Sequence, residues 1–299
     1  MKAKTNDKIA TTIIYVIVSF ILLLLIFFIG YIIFKGKDSL NLNFIFGKNK
    51  TTEVGGGIGP QLFNSFYILI IALIITIPIG IGAGIYLAEY AGNGKILSFV
   101  RLCIETMASL PSIVVGLFGL LVFVTLAGWK YSILAGALSV SILSLPAMTR
   151  VTEMTIRNSS KKVKEASLGL GATNWQTIVK LTLPSAMSEI LTGIILSAGR
   201  IFGEAAVFLY TAGMSAPLFE LTKINLFSTT SAGKLSAFNL FRPAETLSVY
   251  IWKLNSEGIV QDANKIANGA SAILIIMILL FNFSARFLGN KLYKSYTGK

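Results

Sequence analysis

Lys161–Pro184 reads KKVKEASLGLGATNWQTIVKLTLP and is the longest polar, chargeable interruption in the second half of an otherwise apolar chain. Glu165-Ala166-Ser167 is followed by three residues and Gly171; nine more lead to Leu181-Thr182-Leu183-Pro184. The spacing predicts a short helix, a glycine break and a second short helix. Gly169 and Gly171 can reverse the chain because a residue without Cβ adopts positive φ at little cost. Thr173 with Gln176 three residues on is capping-box chemistry for the second helix. Pro184 falls in the first turn of a long apolar helix, where a missing N–H costs nothing.

Outward from this stretch, composition sets the class. The 299 residues are 54% hydrophobic and only 13% charged, and the mean hydropathy is +0.75. This is the signature of a polytopic membrane protein rather than a soluble domain. The net charge of +13 does not imply nucleic acid, because the basic residues are scattered between apolar runs. Histidine is absent and Cys103 is the one cysteine, which excludes imidazole acid–base chemistry, an intrachain disulfide and cysteine metal clusters. Cys103 is expected to be a small packing residue.

A spanning helix needs about 20 apolar residues. Six stretches qualify: Ile9–Phe34, Leu62–Ala88, Ile96–Ala127, Tyr131–Met148, Ala186–Thr211 and Ala270–Leu288. The first is too long for a signal-peptide core and is expected to be retained. Six spans place both termini on one side, together with 92–101 and 150–184. Fifteen of the 26 Lys and Arg residues fall there and ten opposite, so this side is expected to be cytoplasmic. The chain is thus read as all-α, with six transmembrane helices.

Four local patterns bear on function. Val54–Pro60, VGGGIGP, lacks the Lys-Ser/Thr ending of a phosphate-binding loop and reads as a hinge into the second helix. Gly80-x-x-x-Gly84 allows close helix approach, and Arg101 with Glu105 reads as a local i,i+4 ion pair. Pro111, within Leu110–Gly119, is expected to break the third span near mid-membrane, leaving Ser109 or Ser112 facing a cavity. A packing kink is the competing reading. Arg200 and Glu204 share the fifth span, flanked by Gly199 and Gly203. Ionisable groups inside a span are costly and mark function by default. Either they neutralise one another as a structural pair, or Arg200 attracts a crossing anion with its bidentate fork while Glu204 holds the guanidinium in place.

With Ser167 for the second Ala and Leu181 for Ile, the opening stretch resembles the EAA loop of ABC importer permeases. Three further stretches resemble permeases of phosphate-specific ABC importers, the PstA type in particular: LPSIVVGLFG at Leu110–Gly119, GRIFGEAAVFLYTAG at Gly199–Gly213, and FNFSARFL at Phe281–Leu288. Ala205 stands where that family usually has Thr. The resemblance implies an ABC importer permease architecture, with residues 1–61 an N-terminal helix and external loop. Residues 62–299 would form the MetI-like permease domain with its cytoplasmic loop at 150–185. It implies phosphate import across the bacterial plasma (inner) membrane, with the N- and C-termini cytoplasmic. The implied partners are a second, PstC-type permease, two PstB-type ATP-binding subunits and an external PstS-type phosphate-binding protein, within membrane lipid and without nucleic acid. No cofactor is expected on this chain; ATP and Mg would sit on the ATP-binding subunits. No enzymatic or metal-ligating residues are expected. By matched position, Glu165, Ala166, Gly171 and Pro184 would couple to the ATPase. Arg200 and Glu204, with Ser109 and Ser112, would line the substrate path. The alternatives are an ABC permease for another oxyanion such as phosphonate or molybdate, and a secondary anion carrier, which would leave the EAA-like loop unexplained.

Overall fold

A computed structural model describes residues 2–48, 56–92, 94–158, 161–217, 219–220, 224–230, 235–257 and 262–297. The described chain is helical apart from loops and one isolated bridge, Glu220 to Ser236. Helix α1 is Lys2–Gly36, α2 Leu42–Phe46 and α3 Gly59–Ile85. Helices α4 (Lys95–Ala108) and α5 (Ser112–Gly119) follow, then α6 (Ile133–Asn158), α7 (Lys161–Gly169) and α8 (Asn174–Thr177). The chain continues through α9 (Leu183–Gly203), α10 (Ala206–Thr211), α11 (Leu247–Glu257) and α12 (Ala263–Thr297).

Five of these stretches are long and apolar enough to cross a membrane. The α4–α5 pair, extended to Leu126 and bent by 98° at its break, makes a sixth when it is taken as one broken span. Contacts at the helix ends fix the directions. The end of α3, the end of α6 and α7 share one face, since Arg157 bonds the Leu87 carbonyl and Lys164 pairs with Glu89. The starts of α3 and α6 share the opposite face, where Asn64 bonds Arg242 and Ile133 N–H bonds the Arg242 carbonyl. The end of α1 joins them there through the start of α12, because Gly36 packs against Asn268 and Ala272. Both chain ends therefore lie on the α7 face.

The expected third span is thus broken rather than continuous. Pro111 has no N–H to give and disfavours helical geometry in Leu110. The fifth span is displaced as well. It starts at Asn174, passes through a π-helical turn at Ile178–Thr182 and stops at Gly203. Pro184 sits in the first turn of α9 as expected, but that turn continues from α8 instead of starting anew.

Small residues set the packing. A Cβ on Gly80 or Gly84 would lie 2.6 Å from Met148 Cγ or 2.5 Å from the Thr152 Cβ of α6. Helices in lipid gain little from apolar burial alone and rely on such close contact. The largest buried cluster joins Ile68 and Leu69 of α3, Val140 and Leu143 of α6, Ile201 of α9 and Phe208 of α10. By contrast, every residue of α1 from Ile9 to Phe28 is exposed in this chain. Such an apolar surface is suited to lipid or another subunit.

Candidate functional site

The α7–α8 segment forms a knob on the face that carries the chain ends. Ser167 turns inward and shares a hydrogen bond with the Thr177 hydroxyl at 2.9 Å. Gly171 has φ +87°, which reverses the chain as its missing Cβ permits. The Thr173–Gln176 capping box forms, with the Gln176 N–H donating to Thr173 Oγ1 and the Thr173 N–H to Gln176 Oε1. These local bonds turn Glu165 and Ala166 outward, and both are exposed. Beside them Leu170 is 90% and Trp175 63% exposed. On the inner side Lys164 makes an ion pair with Glu89, whose carboxylate is nearly buried in a π-helical turn at Tyr86–Tyr90. The knob is therefore tied to the end of α3.

Ion pairing next to the knob differs from the local i,i+4 expectation. Arg101 reaches across to Glu153 on α6 at 2.8 Å, and Glu105 pairs instead with Arg150 at 3.4 Å. Glu153 also takes Arg157 at 3.3 Å. Cross-helix pairs were available because α4 lies against α6, which sequence spacing does not reveal. Cys103 is exposed on α4 rather than packed within this chain.

Arg200 and Glu204 do not form a pair. Helix α9 ends at Gly203, and Glu204 takes an extended conformation, φ −69° and ψ 131°. Its Oε1 accepts the Val207 N–H at 3.3 Å, capping α10, while its carbonyl accepts the Ser248 hydroxyl. The i,i+4 relation fails because the helix stops between the two residues. Arg200 is exposed on α9 and has no ion-pair partner among the described residues. Gly199 and Gly203 face α12, where a Cβ would meet Asn282 at 3.6 Å and Ile278 at 4.0 Å. The glycine pair does mark a helix–helix seam, although an ordinary rather than a tight one.

Ser109 and Ser112 flank the break at Pro111. The Ser109 hydroxyl, on an exposed residue, donates to the Thr106 carbonyl at 2.8 Å, and Ser112 opens α5. One turn on, Gly116 lies against α10, and a Cβ there would be 3.0 Å from the Ala206 carbonyl. The two chain breaks, at 109–111 and 204–205, are thus brought together through α5 and α10. The residues expected to couple and those expected to line the path lie apart, joined by the length of α9.

A buried polar centre on the opposite face was not anticipated from the sequence. Arg242 is fully buried. Its Nε and one Nη donate to the Ala237 carbonyl at 3.0 and 2.9 Å. It also donates to Asn64 Oδ1 at 2.7 Å and stacks 4.6 Å from the Phe219 ring centroid. Burial lowers its pKa to about 10, still well above neutrality. Glu245 is also buried and accepts from Gln61 at 2.9 Å and Lys253 at 3.2 Å. Burial pushes its carboxyl above the usual range. These bonds pin the loop between α10 and α11 to the first turns of α3. Its partners are some 180 residues apart in sequence, so no local pattern could signal them.

The model of the family described as "Binding-protein-dependent transport system inner membrane component" matches residues 80–297. The chain is 50% identical over 297 residues, 99% of both chains, to the "Probable ABC transporter permease protein YqgI" of Bacillus subtilis (strain 168). It is 32% identical over 257 residues, 84% of this chain and 79% of the relative, to the "Phosphate transport system permease protein PstA" of Yersinia pestis. Among solved structures, the inward-facing MetNI methionine ABC transporter matches with a TM-score of 0.58 at 17% identity, covering 78% of this chain and 93% of that one. A bacterial alginate ABC importer matches with a TM-score of 0.56 at 14% identity, covering 78% of both chains.

Proposed function

The chain belongs to the binding-protein-dependent transport system inner membrane component family of ABC importer permeases, and from that premise we propose that it forms the translocation path for inorganic phosphate. A member of this family is a transport subunit rather than an enzyme. It works with a second permease, with ATP-binding subunits and with a substrate-binding protein. The finer reading takes these as PstC-, PstB- and PstS-type proteins, with ATP and Mg held by the ATP-binding subunits. Relatives named as phosphate permeases, at 28 to 32% identity, favour phosphate as the cargo.

The observation that carries the reading is Arg200, an exposed guanidinium on a spanning helix with no ion-pair partner among the described residues. A bare cation at that depth is costly unless it faces a polar path, and its fork suits a tetrahedral oxyanion. Glu204 acts as a positioning residue, because its carboxylate holds the start of α10 rather than the guanidinium. Ser109 and Ser112 add hydroxyls at the break that α5 packs towards α10. The α7 face is cytoplasmic in this reading, on the strength of its excess of Lys and Arg. Glu165, Ala166 and Gly171 then present the EAA-like knob to an ATP-binding subunit, while Pro184 anchors the knob to α9. Closure of those subunits would press the knob and move α3 and α9 together.

Uptake of labelled phosphate by cells lacking the native protein tests this, with membrane levels matched. The wild type should restore uptake. Arg200→Gln should lower it about tenfold or more, the loss of a charged hydrogen bond. Glu165→Lys should abolish it by reversing charge on the docking knob. Full uptake by Arg200→Gln would remove Arg200 from the path. Failure of the wild type, with uptake restored for phosphonate or molybdate, would instead assign another oxyanion.

A further inference from the structure

Beside the start of α9, α9 and α12 flank a half-open pocket of about 270 Å³ lined by Ser188, Leu191, Thr192, Ile195, Arg286 and Gly289. We propose that this pocket is a second oxyanion site, taking a single phosphoryl group on Arg286 and Ser188. Its phosphoryl group is either a soluble phosphate passing along the chain or the headgroup phosphate of an anionic lipid. The soluble source rests on the transport reading above, and the lipid source does not.

Three observations converge. Arg286 is exposed and, among the described residues, makes no ion pair or hydrogen bond. It nevertheless stands near the end of the apolar stretch of α12, on a helix held firmly in place. Next to it Gly289 packs on Leu191, where a Cβ would lie 3.2 Å from that side chain, and one turn before it Asn282 meets Gly199. The backbone that carries the guanidinium therefore lies at a helix crossing and not on a free tail. Near the end of a membrane span such a side chain reaches to the headgroup region, where it can meet an anion.

The second observation is the pair of hydroxyl residues that line the same pocket. Ser188 and Thr192 are one turn apart on α9 and share a face. The Thr192 hydroxyl donates to the Ser188 carbonyl at 3.0 Å, whereas the Ser188 hydroxyl has no partner among the described residues and is free to donate. An arginine fork and a serine hydroxyl from two helices line the same pocket, and donors of this kind are what hold phosphoryl oxygens. The third is size. The pocket, about 270 Å³, is smaller than the ~300–1,000 Å³ that accommodates a drug-sized ligand, so it suits an ion or a headgroup. Leu191 and Ile195 close its sides without adding charge.

The test uses the assembled transporter, in nanodiscs of phosphatidylcholine with and without phosphatidylglycerol. Variants are Arg286→Gln, Arg286→Lys and Ser188→Ala. Two probes are read: equilibrium binding of labelled inorganic phosphate in pure phosphatidylcholine, and phosphatidylglycerol retained on the purified complex by native mass spectrometry. Arg286→Gln should weaken one of them about tenfold or more. Arg286→Lys should lose less, keeping the charge without the fork, and Ser188→Ala should fall between. Loss confined to phosphatidylglycerol assigns the lipid, and loss confined to free phosphate assigns the cargo. If both probes are unchanged in all variants, the site does not exist. Should Arg286→Gln fail to assemble, Arg286→Lys and Ser188→Ala decide on the same criteria. A wild-type complex that neither binds nor imports phosphate would sink the transport reading, yet leave the lipid measurement intact.

Discussion

Arg242 shows how much one side chain can organise. Its guanidinium fills a buried position with carbonyls, an amide oxygen and an aromatic face, so removing it leaves several acceptors unmet in a site water does not reach. Arg242→Met should cost about 2–5 kcal/mol and sharply reduce both the membrane yield and the melting temperature of the complex. A variant that melts with the wild type would mean the network is dispensable. Glu245, three residues on, offers a pH test. Burial raises its folded pKa, so folding favours the protonated form. That contribution is present below the ordinary carboxylate range and is lost as pH rises through the raised value. Glu245→Gln, which is neutral throughout, should flatten the decline of melting temperature from mildly acidic to neutral pH. Equal slopes in the two proteins would contradict this assignment.

Among the elements, α7 is tied to the end of α3 by an ion pair. The Lys164–Glu89 contact joins the knob to the π-helical end of α3, and π turns in helices often mark sites of function. Glu89→Lys should impair transport while leaving assembly intact. Combining it with Lys164→Glu restores an opposite-charge pair and should recover most of the uptake; lack of recovery would show that the link is not electrostatic. The α3–α6 seam is a matter of space instead. Gly84→Leu drives a side chain into Thr152, whose Cβ lies where the new Cβ would need room. Overpacking costs about 1–3 kcal/mol or more, so the variant should melt well below wild type. Gly82→Leu, with open space around it, should change little.

For the molecule as a whole, six crossings with both ends on one face make a definite topology. In a Cys103→Ser background, Asp7→Cys should react with an impermeant thiol reagent only after the cells are permeabilised. Ile224→Cys, 78% exposed on the opposite face, should react in intact cells. The reverse pattern would invert the assignment of sides and, with it, the coupling role of α7. The exposed apolar length of α1 and the exposed face of α4 suit a chain that completes its surface with lipid and partner subunits.

Much of this was legible in the chain itself. Apolar run length found the spans, because a bilayer demands about 20 residues from each. The α7–α8 turn was equally readable: Gly171 and the Thr173–Gln176 box act over a few residues, and local bonds depend only on local spacing. What tertiary structure alone decided involves contacts between distant segments. Glu204 left the expected pair because the helix ended at Gly203 and Ser248 reached its carbonyl. Arg101 preferred Glu153 on α6 to the nearer Glu105. Arg242 and Glu245 found partners on α3, and Arg286 came to share a pocket with Ser188. Polar groups in an apolar surround bind whatever the packed helices bring within reach, and sequence spacing specifies that only inside a single helix.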